Sequence, residues 1–94
     1  MSENIDDLTI EYVDGDQVTT RELEKEILSK GAWTTIVFRY QDFDRKTNDF
    51  GPEKYSIRRY QKRDGTYMLK SKFNISSKDQ ANKLIAVLQK WVAE

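Results

Sequence analysis

Positively charged and aromatic side chains alternate within one stretch of the chain, Tyr55 to Ser76, and this combination could bind a polyanion. The stretch contains six Lys or Arg residues and a single acid, Asp64, although the whole chain has a formal net charge of zero. Lys and Arg pair with phosphates and aromatic rings stack on unpaired bases, which is the chemistry that single-stranded nucleic acid requires. The candidate binding residues are Trp33, Arg39, Arg58, Tyr60, Lys62, Lys70 and Lys72.

The same alternation has a simpler interpretation. Exposed strands commonly carry Lys and Arg for solubility and to discourage pairing with other chains.

Charge is also divided along the chain, because residues 1–26 carry nine acids and two bases, whereas residues 27–94 carry fourteen bases and seven acids. This division indicates a basic functional domain behind an acidic segment, or an acidic segment that only aids solubility.

The composition argues against several kinds of active site. The chain has no Cys, and therefore neither a disulfide nor a thiolate zinc site. It also has no His, the usual general base and the commonest metal ligand. We therefore expect no catalytic residues, no metal and no cofactor. No apolar run approaches about 18 residues and the first residues are acidic, so we expect no signal peptide, no membrane partner and a cytoplasmic location.

Alternation and turn residues predict the strands that carry these side chains. Residues 8–13 alternate as a short strand does, and Ala32 to Gln41 is rich in β-branched and aromatic residues. Lys54 to Arg63 and Thr66 to Ile75 are predicted to form a tight hairpin, because Asp64-Gly65 suits a type I′ turn. Residues 42–53 are predicted to be a loop.

The acids of that loop, Asp42, Asp44 and Asp49, invite comparison with a calcium-binding loop. The glycine and the twelfth-position glutamate of such a loop are missing, and turn chemistry explains the three acids better.

Two segments have helical patterns. Thr19 and Glu22 have the spacing of a capping box, and this predicts a short helix at residues 20–30. Leu23 and Ile27 also have the even spacing of a strand, which remains the alternative. After Ser76 or Ser77, apolar residues recur at i, i+3, i+4 and i+7, which predicts an amphipathic C-terminal helix.

These elements predict an α+β fold with an antiparallel sheet of three to four strands and the C-terminal amphipathic helix packed on one face. We expect residues 1–7 to be a flexible acidic N-terminus and residues 8–94 to form a single domain.

The predicted buried face of the sheet consists of Ile36, Phe38, Ile57, Leu69, Phe73 and Ile75. A helix covers only one side of a small sheet, so the other side is predicted to be open. That open face would carry Arg39, Arg58, Tyr60, Lys62, Lys70 and Lys72.

Short motifs in the second half of the chain carry a family resemblance. They are Ile57-Arg58-Arg59-Tyr60, the Asp64-Gly65 turn, the run Lys72 to Ser77 and a following helix that contains Gln80. This pattern resembles the transcriptional positive cofactor four family of single-stranded-DNA-binding proteins. The resemblance implies a curved four-stranded antiparallel sheet, a closing helix and a dimer formed through the helices. It assigns family DNA contacts to Arg58, Tyr60 and Lys72, whereas Gln61 stands where the family has an aromatic residue.

The expected function is therefore non-catalytic binding of single-stranded nucleic acid, with DNA favoured, by an accessory factor of transcription or DNA metabolism. A homodimer through the C-terminal helix is part of this expectation. One alternative is a protein–protein interaction module that binds no nucleic acid and whose acidic segment folds over its own sheet or engages a partner. A further alternative is a double-stranded-RNA-binding-like domain, which a helix at residues 20–30 followed by three strands and a helix would resemble. The sequence leaves the choice between DNA and RNA open.

Overall fold

The computed structural model describes residues 4–93 as an antiparallel sheet followed by a C-terminal helix. The strands are β1 (Tyr12–Asp14), β2 (Gln17–Ser29), β3 (Trp33–Asp44), β4 (Asp49–Phe50), β5 (Lys54–Arg63) and β6 (Thr66–Ile75), the helix is α1 (Lys78–Val92), and a 3-10 helix spans Ile5–Asp7. The sheet order is β1-β2-β3-β5-β6, and β4 pairs only with β3. The predicted α+β class is confirmed, with six strands in place of three to four. No helix in residues 4–93 is long and apolar enough to cross a membrane.

The β5–β6 hairpin and α1 form as the sequence predicts. Asp64 and Gly65 have φ angles of 51° and 79°, and a type I′ turn requires positive φ at both positions. The Ser77 hydroxyl accepts a hydrogen bond from the Gln80 backbone N–H at 3.1 Å and so caps the first turn of α1. Both elements are specified by residues close together in sequence.

The predicted helix at residues 20–30 is wrong, and the strand alternative is correct. This segment belongs to β2, which pairs with β3 from Thr20 opposite Asp42 to Ser29 opposite Thr35. Two irregularities in the pairing let a sequence with mixed spacing follow the neighbouring strand. The capping-box spacing is a weak local signal, and pairing along a whole strand outweighs it.

The predicted loop at residues 42–53 is shorter than expected, because β3 continues to Asp44 and β4 pairs back onto it. Asp44 accepts a hydrogen bond from the Lys46 backbone N–H at 2.8 Å, and Asp49 accepts one from the Phe50 N–H at 2.8 Å. These two acids therefore have the predicted turn role. Asp42 lies in β3 and pairs with Lys54 instead.

The two faces of the sheet differ from the predicted faces. Residues directly opposite each other on neighbouring antiparallel strands share a face. Arg58 lies opposite Ile36, so it belongs to the same face as the core residue Phe38, and Ile57 lies opposite Val37 on the other face. We call the side with Ile36 and Phe38 the core face and the side with Val37 and Ile57 the helix face.

The predicted buried set is therefore divided between the two faces. A bulge in β6 next to Ser71 places Leu69 on the core face opposite Tyr60, whereas Phe73 and Ile75 lie on the helix face. The register between β3 and β5 and this bulge both depend on tertiary pairing. Neither can be read from the alternation within one strand.

The N-terminal segment covers part of the core face. Leu8 and Ile10 are each 6% exposed and pack in one cluster with Ile36 and Phe38. The Lys25 ammonium donates to the backbone carbonyls of residues 5, 6 and 8, at 3.4, 2.9 and 2.8 Å. The prediction that the side opposite the helix is open is therefore wrong, because residues 5–10 cover part of it.

The structure of the N-terminal segment also differs from the prediction. Of the strand expected at residues 8–13, only Tyr12 and Val13 are in β1, and residues 8–11 cross the sheet without regular structure. Part of the predicted flexible segment, residues 1–3, lies outside the described residues. Residues 5–7 form the 3-10 helix that Lys25 holds.

Replacing Leu8 by Ala is expected to lower the free energy of unfolding by about 2–5 kcal/mol, the usual cost of truncating a buried Leu. Urea unfolding followed by tryptophan fluorescence measures this change. Val13→Ala is the matched control, because Val13 is exposed on β1, just after the segment, and its truncation is expected to cost less than about 0.5 kcal/mol. Equal costs for the two variants would contradict a structural role for residues 5–10.

Candidate nucleic-acid interface

The β5–β6 hairpin concentrates positive charge that the rest of the described chain does not neutralise. Its two strands contain seven Lys or Arg residues and no acid. Lys54 pairs with Asp42 at 3.1 Å. No ion pair joins the other six to a carboxylate in residues 4–93. These six are Arg58, Arg59, Lys62, Arg63, Lys70 and Lys72.

The structure brings together only part of the predicted binding set. Arg58 lies opposite both Ile36 and Lys72, and Lys62 lies opposite Tyr67, so these cations share the core face. Lys70 lies at the bulge and has no direct partner on β5. Trp33 and Arg39 belong to the helix face, and their predicted position beside Arg58 is wrong for the register reason given above.

Arg39 is held by two carboxylates. Its guanidinium lies 2.7 Å from a Glu24 oxygen and 3.1 Å from a Glu53 oxygen. The hydrogen bond with Glu53 is the main cause that raises the pKa of Arg39, although the group stays charged in any case. A phosphate at Arg39 would have to compete with both acids.

Tyr60 is a core residue and not an exposed platform. It is 5% exposed and packs in the cluster that contains Leu8 and Phe38. Burial raises the pKa of its phenol, because the ionised form would lose hydration. In this conformation the ring has no free face for a base.

Trp33 is the exposed aromatic residue among the predicted set. Trp33 is 41% exposed, and the Arg59 guanidinium lies 4.6 Å from a ring centroid. Arg59 lies opposite Thr35 on the helix face. A cation and an exposed ring are thus adjacent on the helix face, on the side of the hairpin opposite Arg58 and Lys72.

A polar cleft that the sequence does not predict lies beside Arg58. The cleft has a volume of about 430 Å³ and is bounded by residues 9–12 on one side and by side chains of the sheet on the other. Arg58 lines the cleft, and its Nε atom is buried behind that surface with no hydrogen-bond partner in the described residues. No periodic signal marks this cleft, because it forms where an irregular segment crosses the sheet. The sequence carries one indication of the cleft, which is the position of Tyr12 close to the turn at residues 14–16. The sheet side chains in the cleft are Thr20, Tyr40, Asp42, Arg58 and Asn74.

α1 presents an apolar surface that the described chain does not cover. No residue of α1 is buried, and Trp91 is 63% exposed. An apolar crevice of about 350 Å³ remains between Leu84, Leu88 and the helix face of the sheet at Val37 and Ile57. Contiguous exposed apolar surface of this kind is typical of protein–protein contacts.

The described residues offer no group of three or more acids placed to hold a metal ion. No protein-family model matches the chain, and no curated protein or solved structure is similar to it at a level that would indicate a relationship.

Proposed function

We propose that the protein is a non-catalytic, single-stranded nucleic-acid-binding protein that uses the β5–β6 hairpin and favours DNA. The observation that carries this proposal is the group of six hairpin cations without a carboxylate partner in residues 4–93. Uncompensated charge on a narrow element attracts a phosphate backbone, and the release of counterions supplies affinity. The role would be that of a cytoplasmic accessory factor in transcription or DNA metabolism.

The order of the long elements supports the same proposal. β2, β3, β5 and β6 form an antiparallel meander, and α1 closes the chain. This is the order implied by the resemblance to the transcriptional positive cofactor four family. Within that resemblance we assign Arg58 and Lys72 to phosphate contacts, and Tyr60 to the core because it is buried.

A homodimer through α1 belongs to the proposal. The exposed apolar residues of α1 and the crevice beneath it need a partner of matching character, and a second copy offers the same surface. Two hairpins held in one assembly would also contact a longer strand than one hairpin does.

Fluorescence anisotropy with labelled oligo-dT at a series of salt concentrations tests the proposal. Arg58, Lys62, Lys70 and Lys72 on one protomer would give a slope of log affinity against log salt near −2.8, at about 0.7 for each phosphate. Arg39→Gln is the control and is expected to keep the slope, because Glu24 and Glu53 already hold Arg39. A flat slope, or no binding at low salt, would contradict the proposal.

The second candidate is a protein–protein interaction module without nucleic-acid binding. The N-terminal segment, which carries Asp6, Asp7 and Glu11, lies across part of the core face and favours this candidate. Absence of oligo-dT binding would leave the apolar surface of α1 as the functional surface. The double-stranded-RNA-binding-like alternative is not proposed, because residues 20–29 form a strand where that fold needs a helix.

A further inference from the structure

The cleft beside Arg58 joins parts of the chain that are distant across the sheet. Tyr12 lies on β1 opposite Thr20, and Asn74 lies on β6 opposite Ser56. Both line the same cleft, so the sheet curls enough to bring its outer strands towards each other. The volume of about 430 Å³ falls within the range of about 300–1,000 Å³ that is usual for small-ligand sites.

One end of the cleft offers hydrogen-bond donors to an anion. Arg58 lines this end of the cleft, no carboxylate in residues 4–93 pairs with its guanidinium, and a guanidinium has donors only. The Ser56 hydroxyl donates to Asn74 Oδ1 at 2.7 Å, which orients the amide and leaves its nitrogen as a donor. A planar guanidinium with an amide beside it suits the oxygens of a phosphate.

The cleft also contains two acids, Asp42 and Glu11, which differ in how far neighbouring groups compensate their negative charge. Asp42 Oδ2 lies 3.1 Å from the Lys54 ammonium, and Oδ1 accepts a hydrogen bond from Thr20 at 3.1 Å. The charge of Asp42 is therefore largely compensated. Glu11 is exposed at the edge of the cleft and has no ion pair in the described chain.

The other end of the cleft offers an aromatic surface. Tyr12 is 62% exposed, and its ring makes no aromatic or cation–π contact within residues 4–93. Stacking on such a ring is tolerant of base identity, because every base has a π face. Tyr12 can therefore supply the platform that buried Tyr60 does not.

We propose that this cleft holds one nucleotide unit of the bound strand, with the base on Tyr12 and its phosphate on Arg58 and Asn74. The inference rests on the proposed function and adds an aromatic residue from the N-terminal segment to the site. The shared chemistry is that of a nucleoside phosphate, which an oligonucleotide or a free nucleotide could provide.

Oligo-dT with a single 2-aminopurine tests the contact directly, because stacking quenches the fluorescence of this base. The wild-type protein and Tyr12→Phe are expected to quench it, since both have a ring at position 12. Tyr12→Ala is expected to lose the quenching that this ring causes and to bind about 5- to 150-fold more weakly, the range found for removal of one stacked base. Circular dichroism of each variant shows that the fold is retained.

The outcomes separate this inference from the proposed function. If Tyr12→Ala keeps both quenching and affinity while Arg58→Gln loses affinity, the role of Tyr12 is overturned and hairpin binding stands. If the wild-type protein does not bind oligo-dT, both proposals fall. Free dTMP is expected to compete only at concentrations far above those of oligo-dT. Competition at equal concentrations would assign the cleft to free nucleotides and overturn its assignment to a strand.

Discussion

Replacing Arg58, Lys62 and Lys72 together by Gln is expected to weaken oligo-dT binding about 100-fold at low salt. Each cation at a partly exposed site contributes about 1 kcal/mol to pairing with a phosphate, and three such losses correspond to roughly two orders of magnitude. The slope of log affinity against log salt is expected to fall from near −2.8 to about −0.7, because only Lys70 of the four proposed contacts remains. Fluorescence anisotropy over a salt series measures both quantities.

A second triple variant separates local charge from net charge. Lys78, Lys83 and Lys90 lie on α1, and their replacement by Gln removes the same total charge away from the hairpin. We expect this variant to keep most of the affinity and the original salt slope. Equal losses in the two triple variants would mean that the protein attracts nucleic acid only through its overall charge, which would contradict a binding site on the hairpin.

The hairpin and α1 could be predicted because their signals are local. Asp64-Gly65 can adopt positive φ at both positions, and Ser77 caps a segment whose apolar residues already have helical spacing. Such features need only a few neighbouring residues. The register between β3 and β5 is different, because it depends on how residues 42–53 fold back and on which side chains are buried.

The candidate site was predicted only in part for the same reason. The sequence identifies the cations of β5 and β6, but their distribution over two faces follows from the position of Arg58 opposite Ile36 and from the bulge next to Ser71. Alternation with cations in the sequence predicts that Tyr60 is a platform. Its burial depends on the cluster with Leu8 and Ile10, contributed by a segment about 50 residues earlier in the chain.

This arrangement assigns different physical roles to aromatic and cationic residues that are neighbours in sequence. Tyr60 and Tyr67 contribute area to a small core, where aromatic side chains bury more surface than most others. Lys62 and Lys72 remain exposed on the same hairpin, since a long stem can lie along the sheet while the ammonium stays in water. The N-terminal segment thus buries the rings of Tyr60 and Tyr67 and leaves the ammonium groups of Lys62 and Lys72 accessible.

Replacing Ile85 and Leu88 by Asp is expected to convert a homodimer into a monomer. Both side chains are exposed on the apolar side of α1, and burial of each in an interface contributes about 1.5–3 kcal/mol. Their loss would weaken dimerisation by at least about 100-fold, and two buried charges would add to this. Sedimentation velocity at tens of micromolar protein measures the change.

Lys83→Gln with Lys90→Gln is the matched control, because it makes the same change in net charge on the polar side of α1. This control is expected to remain dimeric, and a wild-type protein that sediments as a monomer at high micromolar concentration would contradict the homodimer. The Ile85 and Leu88 variant also separates assembly from binding. It should retain affinity for an oligo-dT that reaches one hairpin and lose affinity for a longer one, because only a dimer lets a single strand engage two hairpins at high effective concentration.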